Sequence, residues 1–259
     1  MKTLAFLKAH EINPGLVDEY LKLRASDVDV IIVFDNKNNT FPKSENPICK
    51  INVYGIDIDF LLTDFDIYEK YNLPGFYDDK EGNDFNRFMW YNADYPLYLV
   101  KTILPNYDYY WQIEYDVYCN GTSYQPFFDI YNNNKNDLLI VRYTNALNDW
   151  WATEKTDWIW DESIQRHCCI LPITRLSNSA IDYLYSKRLE HAEIYKNKIN
   201  DENARWVFCE LFLATEIANN KNLSAERIIN QRITDSPVIN LAKERLYLRQ
   251  DNKLYHPVK

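Results

Sequence analysis

The stretch that most constrains this chain is Val28 to Phe34, an almost unbroken apolar run closed by Asp35-Asn36. Apolar runs of this kind, continuous rather than alternating, are how parallel strands buried on both faces read. Upstream, residues 3 to 9 suit a first strand, and Asn13-Pro14 supplies a cap and a preorganised first helical position. Leu16, Tyr20 and Leu23, with Val17 and Leu21, then form an apolar stripe at helical spacing. Strand, helix and buried strand within about 35 residues make a βαβ unit, and such units bind ligands at the carboxyl ends of their strands. His10, Glu11 and Asp35 therefore fall where a nucleotide would bind, although each is also an ordinary loop residue.

Residues 107 to 121 are dominated by aromatic and β-branched residues, and Asn120-Gly121 supplies a stop, so they read as a strand running into a turn. Alternation puts Tyr109, Trp111, Ile113, Tyr115 and Val117 on one face, and Gln112, Glu114 and Asp116 on the other. Two carboxylates about 7 Å apart repel by roughly 2.5 kcal/mol at an effective dielectric near 20. Water, protonation of one acid, or a cation between them relieves that repulsion. The last option makes Glu114 and Asp116 a metal site. Acid-x-acid triplets also occur at Asp27, Asp57, Asp64 and Asp79. The one at Glu114 is set apart by its place on an aromatic strand that follows a helix closed by Pro105. The alternative is an exposed or hydrogen-bonded strand end.

A chain of 259 residues is long enough for one α/β domain, or one with an appended subdomain, that needs no disulfide. The five cysteines form no CxxC, and their odd number with no secretory leader predicts reduced thiols and a cytoplasmic location. Cys168 and Cys169 fit small core residues of a strand better than metal ligands. The apolar start is broken by Lys8, His10 and Glu11, and no apolar run is long enough to span a membrane. A net charge of −9 argues against a nucleic-acid partner. Residues 221 to 259 hold eight Lys/Arg against four Asp/Glu, a net of +4, which leaves −13 on the first 220. That basic segment is read as facing a phosphate group, as a peripheral contact with the inner face of the plasma membrane, or as a solvated helical face. Tyr numbers twenty-one and Trp seven, and their flat faces with polar edges suit sugar rings as well as a core. Heavy Asn, Lys, Ile and Tyr usage matches an AT-rich bacterial genome.

Strands are expected at about 50 to 54 and 56 to 62, and a helix at about 64 to 71, before a loop from Leu73 to Asn86. Ala93, Leu97, Val100 and Leu104 fall at helical spacing up to Pro105. Beyond a strand at 137 to 143, Trp150, Trp151, Trp158 and Trp160 read as exposed, either as stacking surfaces for a sugar acceptor or as a hydrophobic lid. A strand at 168 to 173 leads to helices at about 177 to 197 and 202 to 218. In the second of these Glu210 shares a face with 203, 206, 214 and 217. A carboxylate on an inward face is costly without a partner or a task.

Taken in order, the strand-helix-strand ending at Asp35, the Tyr-Trp-Gln-Ile-Glu114-Tyr-Asp116-Val stretch, the Cys-Glu210-Leu-Phe-Leu-Ala-Thr helix and the closing Tyr-His256-Pro-Val-Lys259 resemble a bacterial nucleotide-sugar-dependent glycosyltransferase of the GT-A type. The resemblance implies a GT-A-like, Rossmann-related α/β fold with a mixed, mainly parallel sheet flanked by helices. It implies one domain over 1 to 259, with a nucleotide-sugar half to about 122 and an acceptor half beyond. Glu114 and Asp116 stand where that group's Asp-x-Asp pair binds Mn²⁺ or Mg²⁺ on the donor diphosphate, with His256 completing the shell. Glu114 is the longer acid of the pair, which leaves its contact open between metal, ribose and neither. His10 and Asp35 fall to the nucleotide, Lys259 to a phosphate, and Glu210 to the acceptor's base, with Asp201 and Glu202 in reserve. The expected reaction moves a sugar from a nucleotide-diphosphate donor to a surface-glycan acceptor, a capsule or lipooligosaccharide. A carboxylate base points to inversion and a His-Lys ending to retention, so both outcomes stay open. A glycoside hydrolase with two carboxylates and a non-catalytic sugar-binding protein are the rival readings.

Overall fold

β1 (Thr3–Ala9), α1 (Pro14–Arg24) and β2 (Asp29–Asp35) form the expected unit, with β1 and β2 paired in parallel. Asn13 caps α1 by accepting the Leu16 N–H at 2.9 Å, and Pro14 occupies the first turn. The computed structural model describes residues 1–43, 46–76, 85–146, 150–228, 233–235 (backbone alone) and 253–257.

β3 (Ile48–Val53) and β4 (Ile56–Thr63) form a hairpin whose turn residues Tyr54 and Gly55 both have positive φ, +50° and +84°, the handedness that tight hairpins favour. Three short helices follow: α2 (Phe65–Lys70), α3 (Phe85–Tyr91) and α4 (Tyr95–Ile103). They deliver the chain to β5 (Tyr109–Ile113), and then come β6 (Tyr118–Cys119), α5 (Gln125–Tyr131), β7 (Leu138–Asn145) and β8 (His167–Ser177). α6 (Asn178–Tyr195), α7 (Cys209–Asn219), β9 (Ala225–Arg227), β10 (Ile233–Asp235) and β11 (Leu254–His256) complete the order.

Eight strands make one sheet in the order β3-β4-β2-β1-β5-β8-β7-β9, and three make a second, β10-β11-β6. β4, β2, β1 and β5 run in parallel, so their carboxyl ends share one edge of the large sheet. The mixed, mainly parallel sheet flanked by helices is the architecture expected. Separate hydrophobic cores cover its two faces. Leu4, Phe6, Tyr110 and Ile140 pack with α4, α6 and α7 on one side. Ala5, Leu7, Trp111 and Leu139 pack with α1 and α5 on the other. Within the first core Arg188 is fully buried and donates to both oxygens of Asp94, at 2.8 and 3.0 Å. Such a pair is tolerable only because its remaining hydrogen bonds are also made, here by Tyr98 and the Val207 carbonyl.

Several expectations are corrected. The strand expected to run through 121 stops at Ile113, where Glu114 to Val117 turns and the Val117 N–H donates to the Glu114 carbonyl. Tyr115 is therefore not on the buried face of Trp111. The last long helix begins at Cys209, not near 202, so 203 and 206 do not share a helical face with Glu210. Asp201 and Glu202 lie in a turn before that helix. Helices α3 and α5 were not expected.

The small sheet is held to α1 by a buried carboxylate. Glu19 accepts from the Cys119 N–H (3.0 Å), the Tyr124 hydroxyl (2.7 Å) and Lys22 (2.8 Å), while Lys22 also donates to the Cys119 carbonyl at 2.8 Å. Cys119 pairs with Leu254 across β6 and β11, so this clamp fixes the strand that ends in His256. Tyr124→Phe deletes one donor to a buried acceptor. It is expected to lower the unfolding free energy by about 1–3 kcal/mol, read as a lower urea midpoint at unchanged slope.

Candidate active site

The carboxyl edge of the parallel strands opens into a cleft of about 800 Å³. β1 contributes Lys8 and His10, β2 ends in Asp35, β4 in Thr63, and the turn after β5 brings Glu114, Tyr115 and Asp116. β7 and β8 add Arg142, Leu171 and Pro172, the first turn of α7 adds Glu210, and β11 supplies His256. His10, Asp35, Thr63, Glu114 and Asp116 are thus placed by where a parallel strand ends.

Ending β5 at Ile113 is what brings the acids together. His256 Nε2 lies 3.4 Å from Asp116 Oδ1 and 3.8 Å from Glu114 Oε2. One donor atom from each of these three residues falls within 4.8 Å of the others. A cation bound at about 2.1 Å keeps its ligand atoms roughly 3–4 Å apart, and hard carboxylates with one imidazole suit Mn²⁺ or Mg²⁺. Asp116 Oδ1 is buried with no hydrogen-bond partner among the described residues. An orphaned carboxylate oxygen is expensive unless something positive occupies its lone pair. On both counts the residues fit a divalent cation. Glu114 Oε1 is meanwhile held by Lys8 Nζ at 3.3 Å, which leaves its second oxygen facing the other two groups.

Around this trio the sequence-derived candidates divide. His10 meets Tyr115 edge to face at 4.4 Å, and Tyr115 is 56% exposed. Asp35 accepts the Lys37 N–H at 2.9 Å, and burial raises its carboxyl above the ordinary value. Glu210, in the first turn of α7, is half-buried in the cleft wall. Burial first, and the charge of Glu114 second, push its carboxyl up to about 8, against the opposing pull of Arg142 and Lys8. A carboxyl poised there exchanges a proton near neutral pH. Lys259 lies outside the described residues.

The tryptophans are not four exposed rings. Trp160 is 5% exposed and donates its indole N–H to Glu216, which also meets His191 and Tyr183. Trp158 donates to the Arg205 carbonyl and packs on Tyr195. Both belong to the core side. Trp150 and Trp151 are half-buried around Phe208. Trp90 and Arg142 are among the cleft residues that the sequence reading does not single out. Trp90 is 55% exposed and lines the cleft. Arg142 sits at φ +52° where the β7–β8 register shifts, a bulge that turns a strand side chain out of its alternation. An aromatic in a short helix carries no signal that it faces a cleft, and a bulge is invisible in residue type.

No protein-family model and no curated protein matches the sequence. Solved structures do. The mixed, mainly parallel sheet flanked by helices is a GT-A-like fold. A structure of an active-site mutant of LgtC superposes with a TM-score of 0.50 at 10% identity, over 98% of this chain and 86% of that one. The galactosyltransferase LgtC in complex with donor and acceptor sugar analogs gives 0.49 at 10% identity, over 98% and 86%. Mouse xyloside xylosyltransferase 1, apo form, gives 0.45 at 10% identity, over 98% and 96%. Among the described residues no helix is long and apolar enough to cross a membrane.

Proposed function

We propose that this protein is a metal-dependent glycosyltransferase that moves a sugar from a nucleotide-diphosphate donor to a glycan acceptor. The observation that carries the reading is the trio Glu114, Asp116 and His256, with its unpartnered buried oxygen, at the carboxyl edge of the parallel strands. Bound there, Mn²⁺ or Mg²⁺ would neutralise the diphosphate and act as a Lewis acid on the leaving group. Glu114 and Asp116 hold the cation with His256, while His10 and Asp35 border the nucleotide at the ends of β1 and β2. Lys8 fixes the orientation of Glu114. Glu210, across the cleft, takes the proton from the acceptor hydroxyl, with Trp150 and Trp151 on the acceptor side. Residues to about 122 serve the donor and those beyond serve the acceptor, except that His256 crosses to the donor side. A surface glycan is the acceptor class we assign, with the protein at the cytoplasmic face of the membrane.

A thermal-shift titration tests this. Mn²⁺ with uridine diphosphate should raise the melting temperature more than either alone, because each completes the other's coordination. If no nucleoside diphosphate gives a metal-dependent shift, the reading fails. One observation favours a second reading. Glu210 held near 8 beside an acid across the same cleft is also what a glycosidase acid requires. Release of reducing sugar without any nucleotide would select it.

A further inference from the structure

All seven tryptophans of the chain lie among the described residues, and Trp90 alone is exposed. Its setting is specific. One face is backed by Trp151, whose ring lies nearly parallel at 17° with centroids 5.8 Å apart. Phe208 packs 4.9 Å from both rings. Phe208 is also the residue from which α7 starts, two before Glu210, and the Cys209 thiol donates to the Trp90 carbonyl at 3.7 Å. The aromatic stack and Glu210 are therefore anchored to one segment, and Trp90 and Glu210 border one cleft.

The geometry points to the open face of Trp90 as a platform for a pyranose ring of the acceptor, with Glu210 at the ring's edge. The C–H face of a pyranose is apolar and its equatorial hydroxyls project outward in the ring plane. Laid on an indole, such a ring buries the first and offers the second to a neighbouring carboxylate. A ring held from behind by Trp151 and Phe208 loses little freedom when the sugar arrives. A flat apolar occupant without hydroxyls would add no hydrogen bond to the Glu210 carboxylate, whereas a ring hydroxyl would. This site rests on the transferase reading only for the word acceptor; the sugar platform itself does not depend on it.

The experiment is ligand-observed saturation-transfer NMR with methyl β-galactopyranoside and methyl β-glucopyranoside, run with and without uridine diphosphate and Mn²⁺. At least one glycoside should receive saturation chiefly on the C–H protons of one ring face. Trp90→Ala should weaken its binding about three- to tenfold, and Trp90→Phe should restore most of it. The side chain is largely in water, so both variants should fold, which far-ultraviolet circular dichroism checks. Absence of glycoside binding to the unaltered protein, or equal binding by Trp90→Ala, overturns the proposal. Loss of hexanol binding in Trp90→Ala with glycoside binding unchanged also overturns it, because the platform then serves an apolar chain. Glycoside binding at Trp90 without any nucleotide effect upholds the platform and removes the transferase reading. Nucleotide binding with no glycoside at Trp90 does the reverse.

Discussion

Replacing Glu210 with Gln is expected to lower turnover by about 10²–10⁴-fold while the joint Mn²⁺ and nucleotide effect on melting temperature persists. The amide keeps the shape but cannot accept the acceptor's proton. Because burial and Glu114 hold the carboxyl up to about 8, the transfer rate proposed for the unaltered protein should rise with pH. A cation on Glu114 cancels the second of those causes, so the rate should level off at a pH below about 8. The same group gives a stability prediction of definite sign. A folded carboxyl raised from 4.5 to about 8 binds its proton more tightly than the unfolded chain does. Its contribution is complete below 4.5 and disappears as pH climbs towards 8. Metal-free protein should therefore lose melting temperature across that window, and Glu210→Gln should flatten the fall. A fall of the same size in the variant would mean that another group is responsible.

Asp116→Asn should produce effects of opposite sign on stability and on metal binding. Without a cation, Asp116 Oδ1 is a buried orphan within 3.4 Å of His256 and near a second acid, so removing its charge should stabilise the metal-free protein. With Mn²⁺ and uridine diphosphate the order reverses. A ligand present at a hundred times its dissociation constant stabilises the native state by about 2.7 kcal/mol, and the variant should forfeit nearly all of it. Loss of one of three protein ligands should also weaken the ion at least about a hundredfold, read from the electron paramagnetic resonance of free Mn²⁺. A variant less stable than the parent in chelator, yet titrating Mn²⁺ normally, would make Asp116 a structural acid.

The comparison between sequence and structure sorts by the range of the forces involved. The first unit was legible because its determinants are local: the Asn13-Pro14 cap and an apolar run that only a buried strand satisfies. Glu114 and Asp116 were legible as a pair, but for an incomplete reason. Alternation along a straight strand would aim both the same way, whereas a turn at Tyr115-Asp116 does so in fact and carries Asp116 towards the small sheet. That sheet forms from Tyr118-Cys119 and residues near 254, a pairing no local pattern encodes. α7 was drawn too early because Trp206 and Val207 continue its apolar rhythm. Tertiary contacts hold them extended instead, with the Arg205 N–H on the Lys155 carbonyl and the Tyr91 hydroxyl on the Trp206 carbonyl. α5 did carry a missed signal, Pro126 in its first turn. Exposure is the wrong expectation for Trp158 and Trp160, because a Trp-x-Trp string says nothing of whether an indole N–H has found an acceptor inside.

The Glu19 clamp has a consequence for how the ion site comes into being. Two of its three candidate ligands belong to the turn after β5, and the third arrives on a strand that pairs with β6 and β10 and is tied to α1 through Cys119. An ion held by all three would require that strand to be docked, so bound Mn²⁺ would serve as a spectroscopic reporter that the far segment is in place.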